Sequence, residues 1–160
     1  MDGIITARIL HVLGVVVWIG GVAMVTTVLL PVTKRLKTLE DRVTFFRMVE
    51  GRFTLQARLT TLVTGLSGLY LVYELDLWWR FARIEFWWMH AMVLVWALFT
   101  LVLFVLEPLF LHRWLLERGG YEPGSTMAWM QRMHWVLLLG SLATLAGAVA
   151  GSHGYLLFAR

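Results

Sequence analysis

Four long stretches without a charged side chain constrain this chain more than any other feature of its sequence. They cover residues 9–33, 59–73, 86–106 and 133–159. Crossing the hydrocarbon core of a bilayer takes about 20 residues of α-helix. Three of the stretches are long enough alone, and the second is long enough if residues 53–58 continue its helix and Arg58 snorkels to the headgroups. The sequence therefore predicts an all-α, integral membrane protein with four crossings.

The predicted architecture is a single domain, residues 1–160, folded as an up-down-up-down four-helix bundle. The expected helices cover about residues 4–30, 53–73, 86–111 and 127–158, and Pro31 is expected to end the first of them. Residues 32–51 are predicted to form a loop that contains a short amphipathic helix on the membrane surface. The composition agrees, because 59% of the residues are hydrophobic and the mean hydropathy is +0.74.

The basic residues predict the orientation of the chain in the membrane. Ten of them lie in or beside the first and third loops: Lys34, Arg35, Lys37, Arg42, Arg47, Arg52, Arg58, Arg113, Arg118 and Arg132. Only Arg8, Arg80, Arg83 and Arg160 lie on the other side. The positive-inside rule then places both termini on the outer, periplasmic side of the cell inner membrane. A net charge of +4 distributed in this way indicates contact with anionic lipid rather than with nucleic acid.

The chain contains no cysteine. Disulfides, thiolate zinc sites, iron–sulfur clusters and covalently attached haem c are therefore excluded. We also expect no cleavable signal peptide, because the first apolar stretch is too long and has no small-x-small cleavage site at its end.

Histidines at membrane depth are the candidate functional residues. An ionisable side chain there is costly and is a functional-site hypothesis by default. In the predicted topology His11, His90 and His153 lie toward the outer face, whereas His112 and His134 lie at the inner interface. Helices one and three are diagonal in such a bundle. His11 and His90 are thus predicted to be the two axial ligands of one haem b, held without covalent attachment.

Other side chains are candidates for the same site. His153 could replace His90 as a ligand or hydrogen-bond a haem propionate. Arg8, Arg80 or Arg83 could pair with the propionates. Gly14 and Trp18 share a helical face with His11, where small residues permit close approach by a flat ligand or by a neighbouring helix.

Two further features have a structural and a functional interpretation. Glu107 could be a proton-relay or quinone-site carboxylate, or it could snorkel to the inner headgroups beside Arg113; the neighbouring Pro108 frees a backbone carbonyl. Methionines 127, 130 and 133 form a stripe beside His134 that could bind Cu(I), although such a stripe more commonly serves packing.

The segment His11-Val-Leu-Gly-Val-Val-Val-Trp18-Ile-Gly20-Gly21 resembles the copper-resistance protein D family of membrane domains. It is also similar to the related membrane protoporphyrinogen oxidase family of four-helix haem b proteins, and the likeness extends to Trp88-Met89-His90. The first resemblance implies copper handling, and the second implies haem b. The second family is expected to have a lysine shortly after the third-helix histidine. This chain has Ala91, Met92 and Val93 there, which argues against that enzymatic activity.

The leading hypothesis is a membrane cytochrome b, with one bis-histidine haem near the outer face, that exchanges electrons with a periplasmic protein or with quinone. It could be a redox subunit of an oxidoreductase complex. Bis-imidazole ligation leaves no open iron position and favours electron transfer. The first alternative is a copper transport or handling protein that uses His11, His90 and the methionines. The second is a structural subunit of a respiratory complex, whose histidines only hydrogen-bond.

Overall fold

The computed structural model of the chain describes residues 2–111, 123–155 and 157–158. These residues form four long helices and contain no strand. We number the helices α1 (Asp2–Arg35), α2 (Leu39–Glu74), α3 (Trp87–Leu101, continued by a π-helical segment, Val102–Leu111) and α4 (Pro123–Ser152). Three helical stretches are long and apolar enough to cross a membrane: Asp2–Arg35, Ile84–Leu109 and Met127–Ser152. The all-helical class and a multi-pass membrane protein are therefore confirmed.

Helix α2 differs from its prediction because it begins much earlier. It starts after Thr38, whose hydroxyl accepts a hydrogen bond from the Asp41 amide at 3.0 Å, and it runs through to Glu74. A threonine that accepts from the amide three residues later is a common helix N-cap. The expected separate surface helix within 32–51 is thus the first part of a 36-residue helix.

The prediction that Pro31 ends the first helix is wrong. Residues Val25–Leu29 form a π-helical turn, and α-helix resumes at Leu30 and continues to Arg35. In a π turn the amide bonds to the carbonyl five residues earlier, as the Leu30 amide does to Val25. The carbonyl that Pro31 cannot serve is therefore that of Thr26. The Gln131 side chain of α4 donates to this oxygen at 2.7 Å, which is how the helix tolerates the proline.

A carbonyl freed by proline also receives a side-chain hydrogen bond at Pro108 in α3. This proline lies inside the π-helical segment Val102–Leu111, so the carbonyl left without an amide is that of Leu103. Arg58 of α2 donates to it from Nε at 3.0 Å. Pro31 and Pro108 are thus each compensated by a long polar side chain from another helix.

Replacing Gln131 with leucine should lower the free energy of unfolding by about 1–2 kcal/mol, because the buried Thr26 carbonyl loses its donor. Replacing Pro31 with alanine as well should remove most of this loss, because an amide at position 31 can serve the same carbonyl. Unfolding in mixed detergent micelles measures both effects. An equal loss with and without the proline would contradict this account.

Two buried apolar clusters join the helices. The first combines α1, α3 and α4: Trp18, Ile19, Val22, Phe99 and Leu138. The second combines α1 and α4: Val25, Leu29, Leu30 and Met130. Packed against it are Phe45, Val49 and Phe53 of α2 and Met127 of α4. Two of the three stripe methionines are therefore packing residues here. Many large apolar side chains elsewhere remain exposed, Val16 and Leu94 among them, as expected of surfaces that face lipid.

Candidate functional site

The imidazole of His11 lies against α2. Its Nδ1 donates to the Thr64 carbonyl at 2.9 Å, and the Ser67 hydroxyl lies 3.3 Å from the same nitrogen. Gly68 makes room for the ring, because a Cβ at that position would be 2.9 Å from Cε1 of His11. The sequence indicated the importance of His11, but nothing in it identified Thr64 or Gly68 as the residues that hold its ring.

The hydrogen bond to Thr64 determines what His11 can do chemically. With the proton on Nδ1, the Nε2 nitrogen carries a free lone pair. Histidines that bind metals generally donate their other ring N–H to a carbonyl or carboxylate, which sets the tautomer and the ring orientation. His11 is therefore arranged as a metal ligand would be, and it is equally able to hold two helices together.

Gly14 and Trp18, the two residues predicted to line a ligand beside His11, contact other helices instead. A Cβ on Gly14 would lie 2.5 Å from the Thr64 hydroxyl oxygen, so the glycine serves the close approach of α1 and α2. Trp18 is 5% exposed, and its ring meets the ring of Phe99 edge-on at 4.9 Å. The face of α1 that carries Gly14 and Trp18 is therefore packed against protein side chains of other helices.

His90 has different surroundings from His11. Its Nε2 donates to the Phe81 carbonyl at 3.0 Å, its ring packs edge-on against Phe81, and the residue is exposed. Phe99 and the buried Trp88 are eleven residues apart and share one face of α3, whereas His90 is nine residues from Phe99 and lies on the opposite face. The structure thus directs the imidazoles of His11 and His90 to different surroundings, and their shared ligation stays a prediction.

The remaining predicted site residues lie near the ends of helices. His153 is exposed and donates from Nδ1 to Val149 of its own helix at 2.8 Å, which leaves its Nε2 without a hydrogen bond among the described contacts. Arg8 is exposed. Arg80 stacks on Trp79 and Phe86, with its guanidinium carbon 5.4 and 5.0 Å from the ring centres. Arg83 stacks on Trp79.

The inner histidines are only partly described. His134 donates from Nδ1 to the Met130 carbonyl of its own helix at 2.9 Å, an ordinary contact for a helical histidine. His112 and Arg113 lie outside the described residues, as does Arg118. Within 2–111, 123–155 and 157–158, no group of three or more histidine or carboxylate side chains could hold a metal ion. A haem iron takes one or two imidazole ligands, and the Nε2 nitrogen of His11 is a donor of that kind.

Glu107 forms a contact that the sequence did not predict. Its carboxylate accepts from Arg58 Nη2 at 2.8 Å, and the two side chains are 22% and 35% exposed. The arginine also caps the Leu103 carbonyl and lies over the Phe104 ring at 5.8 Å. Snorkelling is the prediction for Arg58 and one of the two for Glu107, whereas in the structure the two charges pair with each other between α2 and α3. No spacing rule connects residues 49 positions apart, so the sequence carried no signal for this pair.

Comparison with family models, with curated proteins and with solved structures finds no match to this chain.

Proposed function

We propose that this chain is a membrane-embedded cytochrome b-type electron-transfer protein, or the corresponding subunit of a membrane oxidoreductase complex. In this proposal α2 is the fourth membrane crossing, the bundle runs up-down-up-down, and both termini face the outer side of the cell inner membrane. The haem b lies toward that side and exchanges electrons with a periplasmic protein or with quinone.

The observation that supports the proposal is the arrangement of His11. Its Nδ1 proton is committed to the Thr64 carbonyl at 2.9 Å, so the ring presents Nε2 as a ligand without further rearrangement. His11 lies in the stretch Asp2–Arg35, which is apolar enough to span a membrane. An ionisable side chain at that depth is costly, and ligation of a cofactor would account for its presence. When bound, a haem supplies reversible one-electron chemistry; the protein holds and orients it.

The second ligand in this proposal is His90, because its depth agrees with that of His11. Trp18 and Phe99 touch, so they mark a common level on α1 and α3. His11 precedes Trp18 by seven residues and His90 precedes Phe99 by nine, which corresponds to about 10 and 13 Å of helical rise. Ligation through Nε2 of His90 requires release of its bond to Phe81 and a rotation of this part of α3, because His90 lies on the face opposite Phe99. His153 is the alternative ligand, and Arg8, one turn before His11, is the candidate partner for a propionate.

The test is the optical spectrum and metal content of the full chain purified after expression with ample haem. We expect a Soret band, a reduced alpha band of the haem b type and one iron per chain. His11→Ala should lower haem content by more than the about 10–100-fold that loss of a second-shell partner costs. His134→Ala, whose ring bonds only within its own helix among the described contacts, is the matched control and should retain haem.

Each other result identifies a different function. Copper without haem bands would support copper handling and overturn the cytochrome proposal. Neither metal, with His11→Ala less stable than the wild type, would support the structural role, which the bond to Thr64 also fits. If His153→Ala loses haem and His90→Ala keeps it, the cytochrome proposal stands and His153 is the second ligand.

A further inference from the structure

Buried polar atoms without a partner are concentrated in the middle of the helices. Six side-chain nitrogen or oxygen atoms in the described part of the chain are buried and have no hydrogen-bond partner among its protein atoms. Four of them are Trp18 Nε1, Thr61 Oγ1, Thr64 Oγ1 and Thr100 Oγ1. Trp18, Thr61 and Thr64 are 5%, 0% and 5% exposed. Such atoms are rare in proteins, because burying a polar group without a partner is unfavourable.

The contacts between helices place these four residues in one layer. Gly14 lies against Thr64, and Trp18 follows one turn later on the same face of α1. Trp18 touches Phe99, the neighbour of Thr100 in α3. Trp96, one turn before Thr100, donates to the Thr61 carbonyl at 3.0 Å. The unpartnered atoms of α1, α2 and α3 therefore surround the same part of the interior.

The two threonines belong to a row of polar residues along α2. The row is Arg58, Thr61, Thr64 and Ser67, in which each member follows the previous one at an interval of three residues. Residues three apart on a helix have Cβ atoms about 5–6 Å from each other, a gap that one water molecule can bridge by two hydrogen bonds. The row begins at the ion pair of Arg58 with Glu107, which is partly exposed, and ends at Ser67 beside the His11 ring.

We propose that buried water molecules complete this row and form a water pathway from the Arg58–Glu107 ion pair to the Trp18 indole N–H. Each water would satisfy hydroxyls that have no partner in the protein, as buried waters commonly do. The pathway does not depend on a haem.

Hydrogen exchange of the Trp18 indole N–H in D₂O tests the proposal. The full chain, labelled with ¹⁵N-tryptophan in lipid nanodiscs, gives one indole signal per tryptophan, and Trp18→Phe identifies the signal of interest. We expect Trp18 to exchange at least tenfold faster than Trp96, because water reaches the Trp18 N–H whereas the Trp96 N–H is bonded to Thr61. Similar rates for the two signals would overturn the proposal, and this comparison needs no variant at the threonines.

The threonine hydroxyls are tested by removing them without changing side-chain size. Thr61→Val with Thr64→Val should slow the Trp18 exchange at least tenfold. Thr60→Val is the matched control, because the Thr60 hydroxyl already bonds to Gln56 of its own helix at 2.9 Å, and its exchange should equal that of the wild type. Unchanged exchange in the double variant would contradict the pathway. Circular dichroism verifies that each variant keeps its helix content.

Discussion

Replacing Gly65 with alanine should lower the free energy of unfolding by about 3 kcal/mol, by overpacking and by loss of one interhelical hydrogen bond. A Cβ at this position would overlap the indole of Trp96, which lies directly on the glycine and donates to Thr61. A rigid indole can only move as a whole, so relief of the overlap breaks its hydrogen bond. Unfolding in sodium dodecyl sulfate micelles, followed by tryptophan fluorescence, measures the loss.

Gly140 is the matched control for this prediction. It also lies within a long helix, but a Cβ there would have nothing within 4 Å. Gly140→Ala should leave stability unchanged or raise it by about 0.5–1 kcal/mol, the usual preference of a helix interior for alanine. Equal losses at both positions would show that the close contact of Trp96 with α2 is not what makes Gly65 necessary.

Replacing Arg58 with glutamine should lower the free energy of unfolding by about 2–3 kcal/mol. The change leaves the Glu107 carboxylate without its cation and leaves the Leu103 carbonyl without its donor. Removing one member of a fully buried ion pair costs about 3–5 kcal/mol, and the partial exposure of both side chains reduces this figure. Detergent unfolding at neutral pH measures the effect.

Two further variants separate the roles of Arg58. In Glu107→Gln the arginine keeps its bond to Leu103, so the loss should be smaller than in Arg58→Gln. In a Pro108→Ala background the amide at position 108 can serve the Leu103 carbonyl, so Arg58→Gln should cost about 1 kcal/mol less than in the wild-type chain. An identical cost in both backgrounds would show that capping of the freed carbonyl contributes nothing.

The contacts of the glycines explain why a small residue on a helical face was insufficient to predict a ligand site. Gly147 and Gly151 of α4 receive the indoles of Trp87 and Trp88, and Gly68 receives the His11 ring. The sequence showed that each position needs a small residue. It did not show whether a helix, an aromatic ring or a cofactor occupies the space, because that depends on which helix lies opposite.

The sequence by itself determined that this chain is helical and that at least three of its helices suit a membrane. Runs of more than 20 apolar residues can satisfy their backbone in lipid only as helices, so composition is sufficient for this conclusion. The sequence also excluded every cysteine-dependent site and identified His11 as a residue that needs a partner.

Only the tertiary structure decided where the polar side chains go. The pairing of Arg58 with Glu107, the donation of Gln131 to Thr26 and the bond of His11 to Thr64 all join residues far apart in the chain. The same packing placed Trp88, rather than His90, on the core face of α3. The physical reason is that a helix turns each successive residue by a fixed angle, whereas the face that meets a neighbour is set by how whole helices pack.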